Sequence, residues 1–188
     1  MQEHARQEDL LQQDPQTRAA FLKLAASVGV SEEQYDKLRF AIANGARLAD
    51  LFNIGSDALE SAYAYAYSLY SAGNHADAER LFRGLCLYTG DDARFWLGLG
   101  GCLQAREAHE EAIAAYGMAA VHTTLKDPVP LYHIALCHIK RGDLESAEGA
   151  LMAVLVVGGD DPAHEVCCER SVALLETVRN KLQEGGAS

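Results

Sequence analysis

The sequence predicts an all-helical protein built from pairs of antiparallel helices that stack into an α-α superhelix. Three alanines, Ala78, Ala112 and Ala147, recur at spacings of 34 and 35 residues. Small and apolar residues recur in the same frame before and after each alanine. Gly73 and Gly142 lie five residues before the first and third alanines. A repeat of this length is one pair of helices, and it buries its apolar face only by stacking on its neighbours.

The predicted core residues fall at matching positions of the three repeats. Upstream of the alanines they are Ala62, Tyr65, Ala66 and Leu69, then Trp96, Leu99, Gly100 and Leu103, then Leu131, Ile134, Ala135 and His138. Downstream they are Phe82 and Leu85, then Tyr116 and Ala119, then Leu151 and Val154. The pattern W-x-x-L-G-x-x-L followed by A-x-x-x-Y-x-x-A is that of the tetratricopeptide repeat. The predicted fold is therefore an all-α superhelix of three tetratricopeptide repeats, with N-terminal helices and a C-terminal capping helix.

Residues 1–55 are predicted to form an N-terminal helical extension. Asp14 is placed to cap a first helix, which Gly29 can close in the left-handed conformation. Ser31 and Gln34 have the spacing of a capping box at the start of a second helix, and an Asn-Gly pair should end it. Apolar side chains follow one face of these helices, and we expect them to hold two copies of the chain together in a homodimer: Phe21, Leu24, Tyr35, Leu38 and Ile42.

Residues 56–157 hold the predicted repeats, and residues 158–188 form the capping helix and a tail. Asp57 and Glu60 have the spacing of a second capping box, at the start of the first repeat. The repeats are predicted to span 56–90, 91–126 and 127–157. Their helices are predicted at 56–71 and 75–88, at 93–106 and 110–124, and at 128–142 and 144–157, with the capping helix at 160–183.

The composition is that of an ordinary globular chain, with 49 % hydrophobic and 23 % charged residues among 188. The formal net charge of −11 disfavours nucleic acid and anionic membranes as partners, because both attract basic surfaces. The first ten residues are polar, and the longest apolar run is too short to span a bilayer. Five cysteines, an odd number without CxxC spacing, favour reduced thiols. We expect a cytoplasmic protein that does not insert into membranes.

No set of residues predicts a catalytic centre, a metal site or a cofactor. Histidines and cysteines cluster at 133–138 and at 164–168, but no second cluster is placed to complete a tetrahedral site. The glycine-rich run at 98–101 falls inside a predicted helix instead of between a strand and a helix, which favours close helix packing over a phosphate loop. We therefore expect no enzyme activity.

The concave face of such a superhelix is lined by the first helix of each pair, and here it is apolar and aromatic. The predicted groove residues are Tyr63, Tyr67 and Tyr70 in the first repeat, Arg94, Leu97, Gly101 and Gln104 in the second, and Tyr132, Leu136 and Ile139 in the third. Tyrosines offer a large contact area with a polar tip at low entropic cost, which suits the binding of an extended peptide. The alternative for some of these tyrosines is packing against the N-terminal helices.

Two runs of residues carry a resemblance to a known family. The run 76–88, ADAERLFRGLCLY, and the run 92–104, DARFWLGLGGCLQ, resemble the class II chaperones of type III secretion, which are tetratricopeptide chaperones of pore-forming translocator proteins. The resemblance covers about 44–175 and implies cytoplasmic storage of hydrophobic translocators before export, with a short extended client segment in the concave groove. It also implies homodimers through the N-terminal helices. The helix at 14–29 is an addition to the family pattern and leaves the mode of dimerisation open.

Two other functions are compatible with helical repeats. An adaptor that clamps a terminal carboxylate needs lysine, asparagine and arginine where this chain has Tyr63, Tyr67, Val129 and His133. A scaffold or transcriptional co-regulator without a secreted client would share the fold, and co-expression with a hydrophobic partner would distinguish it.

Overall fold

The computed structural model describes residues 15–27, 29–43 and 46–186, and its backbone there forms helices and turns without a β-strand. This confirms the predicted all-helical class. The chain divides into two compact units, residues 1–58 and residues 59–188.

In the first unit, α1 spans Pro15–Ser27, α2 spans Glu32–Ala43 and the short α3 spans Leu48–Leu51. The predicted capping box is confirmed, because the Ser31 amide donates to Gln34 Oε1 at 2.8 Å and the Gln34 amide donates to Ser31 Oγ at 3.2 Å. Gly29 adopts a φ of +81°, as a left-handed helix end requires. The predicted cap at Asp14 and the predicted Asn-Gly helix end at 44–45 lie outside the described residues.

The second unit is a sequence of antiparallel helices joined by short turns. They are α4 (Ser56–Ser71, which begins at the end of the first unit), α5 (His75–Tyr88), α6 (Ala93–Ala105), α7 (His109–His122), α8 (Val129–Arg141), α9 (Leu144–Gly158) and α10 (Glu165–Gly186). The larger differences from the predicted bounds are in α7 and α10. α7 ends earlier because Thr124 and Leu125 take positive φ angles of 52° and 55°. α10 begins later because Asp161 caps a separate 3₁₀ turn, Pro162–His164.

The recurring alanines lie at the centre of this unit. Ala78, Ala112 and Ala147 are each 0 % exposed, as are Ala66 and Ala135. Larger core side chains surround them in two clusters: Phe82, Leu85, Phe95, Leu99, Leu103 and Tyr116 in one, and Leu151, Leu175 and Val178 in the other. A methyl group is the largest side chain that fits at these contacts between helices. The spacing of the alanines in the sequence therefore matches the spacing of the helix contacts in the structure.

The glycine run in α6 allows close packing, as the sequence predicted. A Cβ atom built on Gly98 would lie 2.3 Å from the Phe82 ring, and one on Gly100 would lie 2.6 Å from the Tyr116 ring. Each glycine costs about 1 kcal/mol of helix propensity relative to alanine. Alanine would not fit at these two positions, because aromatic rings from α5 and α7 occupy the space that its side chain would need.

Two sequence-based placements were wrong. Tyr65, predicted to be in the core, is 60 % exposed. His138, also predicted there, is half-buried with its Nδ1 3.1 Å from Asp143 Oδ2, and its neighbour Cys137 takes the core position at 0 % exposure. The two carboxylate oxygens of Glu60 accept charge-assisted hydrogen bonds from the Arg94 guanidinium.

A buried carboxylate connects the first two repeats. Glu79 on α5 is 8 % exposed and accepts from Arg83 Nε at 2.9 Å and from Arg106, which follows α6. Arg83 also donates to Glu111 on α7 at 2.7 Å. Burial alone would raise the pKa of Glu79, but the hydrogen bonds from Arg83 and Arg106 outweigh it and hold the pKa below the ordinary value of 4.5.

We expect Glu79→Ala to lower the free energy of unfolding by about 2 kcal/mol, because two charge-assisted hydrogen bonds are lost at a buried position. The matched control is Glu111→Ala, which removes a carboxylate that is 62 % exposed and should cost less than about 1 kcal/mol. Urea unfolding at pH 7 measures both values. Equal effects of the two substitutions would contradict a special contribution from the buried carboxylate.

The same carboxylate predicts a pH dependence. Because the pKa of Glu79 is lowered by folding, its contribution to stability is complete above the unfolded pKa and is lost as the pH falls through the folded pKa. The stability difference between wild type and Glu79→Ala should therefore shrink below about pH 4.5.

Candidate functional site

A cavity of about 220 Å³ opens on the face formed by the first helices of the pairs. Six of the predicted groove residues line it: Tyr63, Tyr67, Tyr70, Arg94, Leu97 and Gly101. The other lining residues are Phe82, Gly98, Tyr116 and His133. The cavity is thus bounded mainly by aromatic rings, with α4 and α6 as its sides.

Tyr63 forms one wall, and the core fixes its ring. The ring packs edge-on against Phe82, with centroids 6.1 Å apart, and lies 5.6 Å from Phe95. The Arg94 guanidinium covers the ring at 4.9 Å from its centroid, a cation–π arrangement. Tyr63 therefore belongs both to the wall of the cavity and to the first core cluster.

The positive charge of Arg94 is paired with two neighbouring carboxylates. Its Nη2 donates to Asp92 Oδ2 at 2.7 Å and to Glu60 Oε1 at 2.5 Å. These hydrogen bonds raise the pKa of Arg94 above its ordinary value. Glu60 and Arg94 occupy the same position of successive repeats, so the pair also ties α4 to α6. The cavity consequently presents little net charge to a ligand.

Tyr67 and Tyr70 differ in how much of each side chain is exposed to solvent. Tyr67 is 57 % exposed, and its ring centroid lies 6.4 Å from that of Tyr63. Tyr70 is half-buried, stacked edge-on against His75 at 5.1 Å. A Cβ atom on Gly101 would lie 3.3 Å from the Tyr70 hydroxyl, so Gly101 leaves the room that this ring and the cavity share.

The floor of the cavity is a hydrogen-bonded group that the sequence did not predict. The Tyr116 hydroxyl donates to Gln104 Oε1 at 2.7 Å, and His133 Nδ1 lies 3.2 Å from the same oxygen. The Tyr116 and His133 rings are stacked with centroids 4.9 Å apart. Gln104 was predicted to face a ligand, but it is not among the lining residues. Its side-chain oxygen instead contacts the Tyr116 hydroxyl and the His133 ring.

The predicted residues of the third repeat lie outside the cavity. The Tyr132 ring is 5.8 Å from that of His133, so it borders the floor from the far side. Leu136 is half-buried further along α8, and Ile139 packs against the second core cluster. Gln104 and these three residues are therefore the predicted groove residues that the cavity does not include.

Two of the three predicted dimerisation residues whose side chains are described are exposed. Phe21 is 47 % and Leu24 is 63 % exposed, while Tyr35 is half-buried. The side chains of Leu38 and Ile42 lie outside the described residues. Phe40 and Phe52, which the sequence analysis did not select, are 61 % and 62 % exposed in the same unit.

The remaining chemistry-bearing residues form no site in the described part of the chain. His, Cys, Asp and Glu side chains do not gather there in any group of three that could hold a metal ion. All five cysteines are free thiols, and burial raises the pKa of Cys86 to about 12 and those of Cys102 and Cys137 to about 11. None of the described helices combines the length and hydrophobicity that crossing a membrane requires.

Comparison with known proteins gives relatives at the level of sequence and of structure. No family model matches the chain. Low calcium response locus protein H of Yersinia pseudotuberculosis is 34 % identical over 140 residues, which are 74 % of this chain and 83 % of that protein.

Solved structures agree with this relative. A T3SS complex from Aeromonas hydrophila superposes with a TM-score of 0.74 at 31 % identity, covering 78 % of this chain and 97 % of the other. The Yersinia enterocolitica type III secretion chaperone SycD, in complex with a peptide of the translocator YopD, gives a TM-score of 0.65 at 34 % identity over 68 % of this chain and 97 % of the other. SycD has also been solved as an alternative dimer, with the same TM-score and identity over 68 % and 96 % of the two chains.

Helical pairs with buried alanines at one period, and an aromatic cavity on the face of the first helices, define a tetratricopeptide protein with a recessed binding surface. The chain belongs to the class II type III secretion chaperones, the chaperones of translocators.

Proposed function

We propose that this chain binds an extended, apolar segment of a translocator protein and keeps that protein soluble in the cytoplasm until a type III secretion system exports it. The observation that carries the proposal is the aromatic cavity between α4 and α6. Support also comes from SycD, a relative that was solved with a translocator peptide.

The lining suits an apolar anchor residue of such a segment. Tyr63, Tyr67 and Leu97 supply apolar surface, and Gly98 and Gly101 place no side chain of their own in the cavity. Because Arg94 is already paired with Asp92 and Glu60, binding should depend weakly on salt. We propose that the segment continues along α8 past Tyr132, Leu136 and Ile139, the other groove residues predicted from the sequence.

The experiment is co-expression with the translocators of the same secretion system. A translocator that is insoluble alone should become soluble with this chain. Overlapping synthetic peptides of that translocator, titrated by calorimetry, should then map one binding segment. If no translocator is solubilised and no peptide binds, the chain acts as a scaffold without a secreted client, and the proposal is wrong.

We also propose that the chain forms a homodimer through residues 1–55, leaving the repeats at 56–157 and the capping helix at 158–188 for the client. The exposed apolar residues of α1, Phe21 and Leu24, support this, as does the existence of dimers of SycD.

Leu24→Glu is expected to weaken the dimer on the order of a hundredfold, because each of two copies would lose a buried leucine and gain a charge at the interface. Light scattering across a concentration series measures the change in mass. Ala26→Glu is the matched control, since Ala26 is exposed on the same helix about 200° around from Leu24. Identical masses for wild type and both variants would contradict an interface at α1.

A further inference from the structure

At the floor of the cavity, one of the two ring nitrogens of His133 has a hydrogen-bond partner inside the protein and the other has none. His133 Nδ1 is 3.2 Å from Gln104 Oε1, which also accepts the Tyr116 hydroxyl proton at 2.7 Å. A carbonyl oxygen has two lone pairs and cannot donate, so it accepts from both groups. The hydrogen bond therefore places the proton of the His133 ring on Nδ1.

The other ring nitrogen, Nε2, is then a hydrogen-bond acceptor. His133 lines the cavity, and Nε2 is neither sealed in the interior nor hydrogen-bonded to the protein. Burial lowers the pKa of His133, so the ring is neutral at pH 7 and the lone pair on Nε2 is available.

The polar groups around the cavity differ in what they offer a ligand. The tyrosine hydroxyls of Tyr63, Tyr67 and Tyr70 can donate or accept, and the guanidinium of Arg94 can only donate. Among the side-chain polar atoms of the lining residues, Nε2 of His133 is the one that accepts without being able to donate. A bound group that met Nε2 would have to bring a proton.

We propose that His133 Nε2 accepts a hydrogen bond from a backbone N–H of the bound client segment, and so selects against proline and fixes the register at that position. This inference rests on the proposed function and adds the residue that reads the client backbone. An extended segment carries an N–H at every residue except proline, and a buried donor left without an acceptor is costly. Apolar client residues bound in the aromatic cavity would provide most of the affinity. The hydrogen bond to His133 would fix which client residue lies at that position.

The test uses a matched pair of substitutions and the translocator peptide mapped by calorimetry. The amide nitrogen of asparagine falls near Nδ1 of histidine, so His133→Asn keeps the bond to Gln104 but loses the acceptor at Nε2. The amide oxygen of glutamine falls near Nε2, so His133→Gln keeps an acceptor for the client. We expect His133→Asn to bind the peptide at least about fivefold more weakly than His133→Gln does. The reverse order, or equal affinities, would overturn the proposal and leave His133 as a residue that positions Tyr116.

Two measurements remain decisive if neither variant folds. Nitrogen-15 spectra of the wild-type imidazole should show the proton on Nδ1, and a proton on Nε2 would exclude the acceptor role. In wild type, replacing single amides of the peptide with esters should lower affinity at least about fivefold at one position inside the cavity segment. Uniform tolerance of the esters would overturn the proposal while leaving the proposed function intact. A failure of every unmodified peptide to bind would overturn both.

Discussion

Ala112→Glu is expected to unfold the repeats of residues 59–188. Ala112 lies on α7 at 0 % exposure, inside the first core cluster. A glutamate there would force a larger side chain and a carboxylate into packed interior without a partner. The desolvation alone costs several kcal/mol, and overpacking adds about 1–3 kcal/mol. A domain of this size is stable by only about 5–15 kcal/mol, so little cooperative structure should remain.

The matched control is Ala114→Glu, two residues further along α7 at an exposed position. It makes the same chemical change on the same helix, and its thermal midpoint should stay near that of wild type. Circular dichroism at increasing temperature measures both. A cooperative transition of Ala112→Glu within a few degrees of wild type would show that the helices can separate at this contact.

Tyr67→Ala is expected to weaken binding of the mapped translocator peptide about thirtyfold. Tyr67 lines the cavity and is 57 % exposed before a client arrives, so its ring is free to be covered by the client. A well-covered aromatic contact contributes about 2 kcal/mol at an interface, which corresponds to that factor. Because the ring contributes little to the free protein's core, the thermal midpoint should barely change.

Tyr65 provides the control for this substitution. It is the same residue type on the same helix, 60 % exposed, and it does not line the cavity. Tyr65→Ala should leave both affinity and stability near wild type. If both tyrosine variants bind as wild type does, in calorimetry on folded protein, the cavity is not where the client binds.

Tyr63→Ala and Leu136→Glu should also weaken binding, but neither is a clean probe. The Tyr63 ring packs on Phe82 and Phe95, so removing it opens a hole in the core as well as in the cavity wall. The wall of the cavity and the core share this ring, so a loss of affinity would be mixed with a loss of stability.

The helices could be predicted well because their signals are local or periodic. Alanines at one period, and turn residues such as Gly142 with a φ of +77°, identify the helix pairs directly. The side of the groove was predictable for the same reason, since Tyr63, Tyr67 and Tyr70 advance along one face of α4. Ile139 packs against the second core cluster, a contact with other helices that its repeat position alone did not reveal.

The floor of the cavity depends on contacts between repeats, which no single repeat encodes. Gly98 and Gly101 remove side chains from α6, so rings from neighbouring helices become visible from the groove. Phe82 and Tyr116 therefore have two roles, although their positions predict only the core. His133 had one signal in the sequence, because the carboxylate clamps of other adaptors use the same repeat position.

The shared use of Phe82 and Tyr116 limits how client preference can diverge among such chaperones. Both rings are 1 % exposed and belong to the core, so a substitution that reshapes the cavity from below also loosens the stack of helices. The exposed lining residue Tyr67 carries no such penalty. Substitutions that adapt the cavity to a new client are therefore confined to its exposed lining residues. The depth of the cavity is set by core side chains and should stay the same wherever the fold is kept.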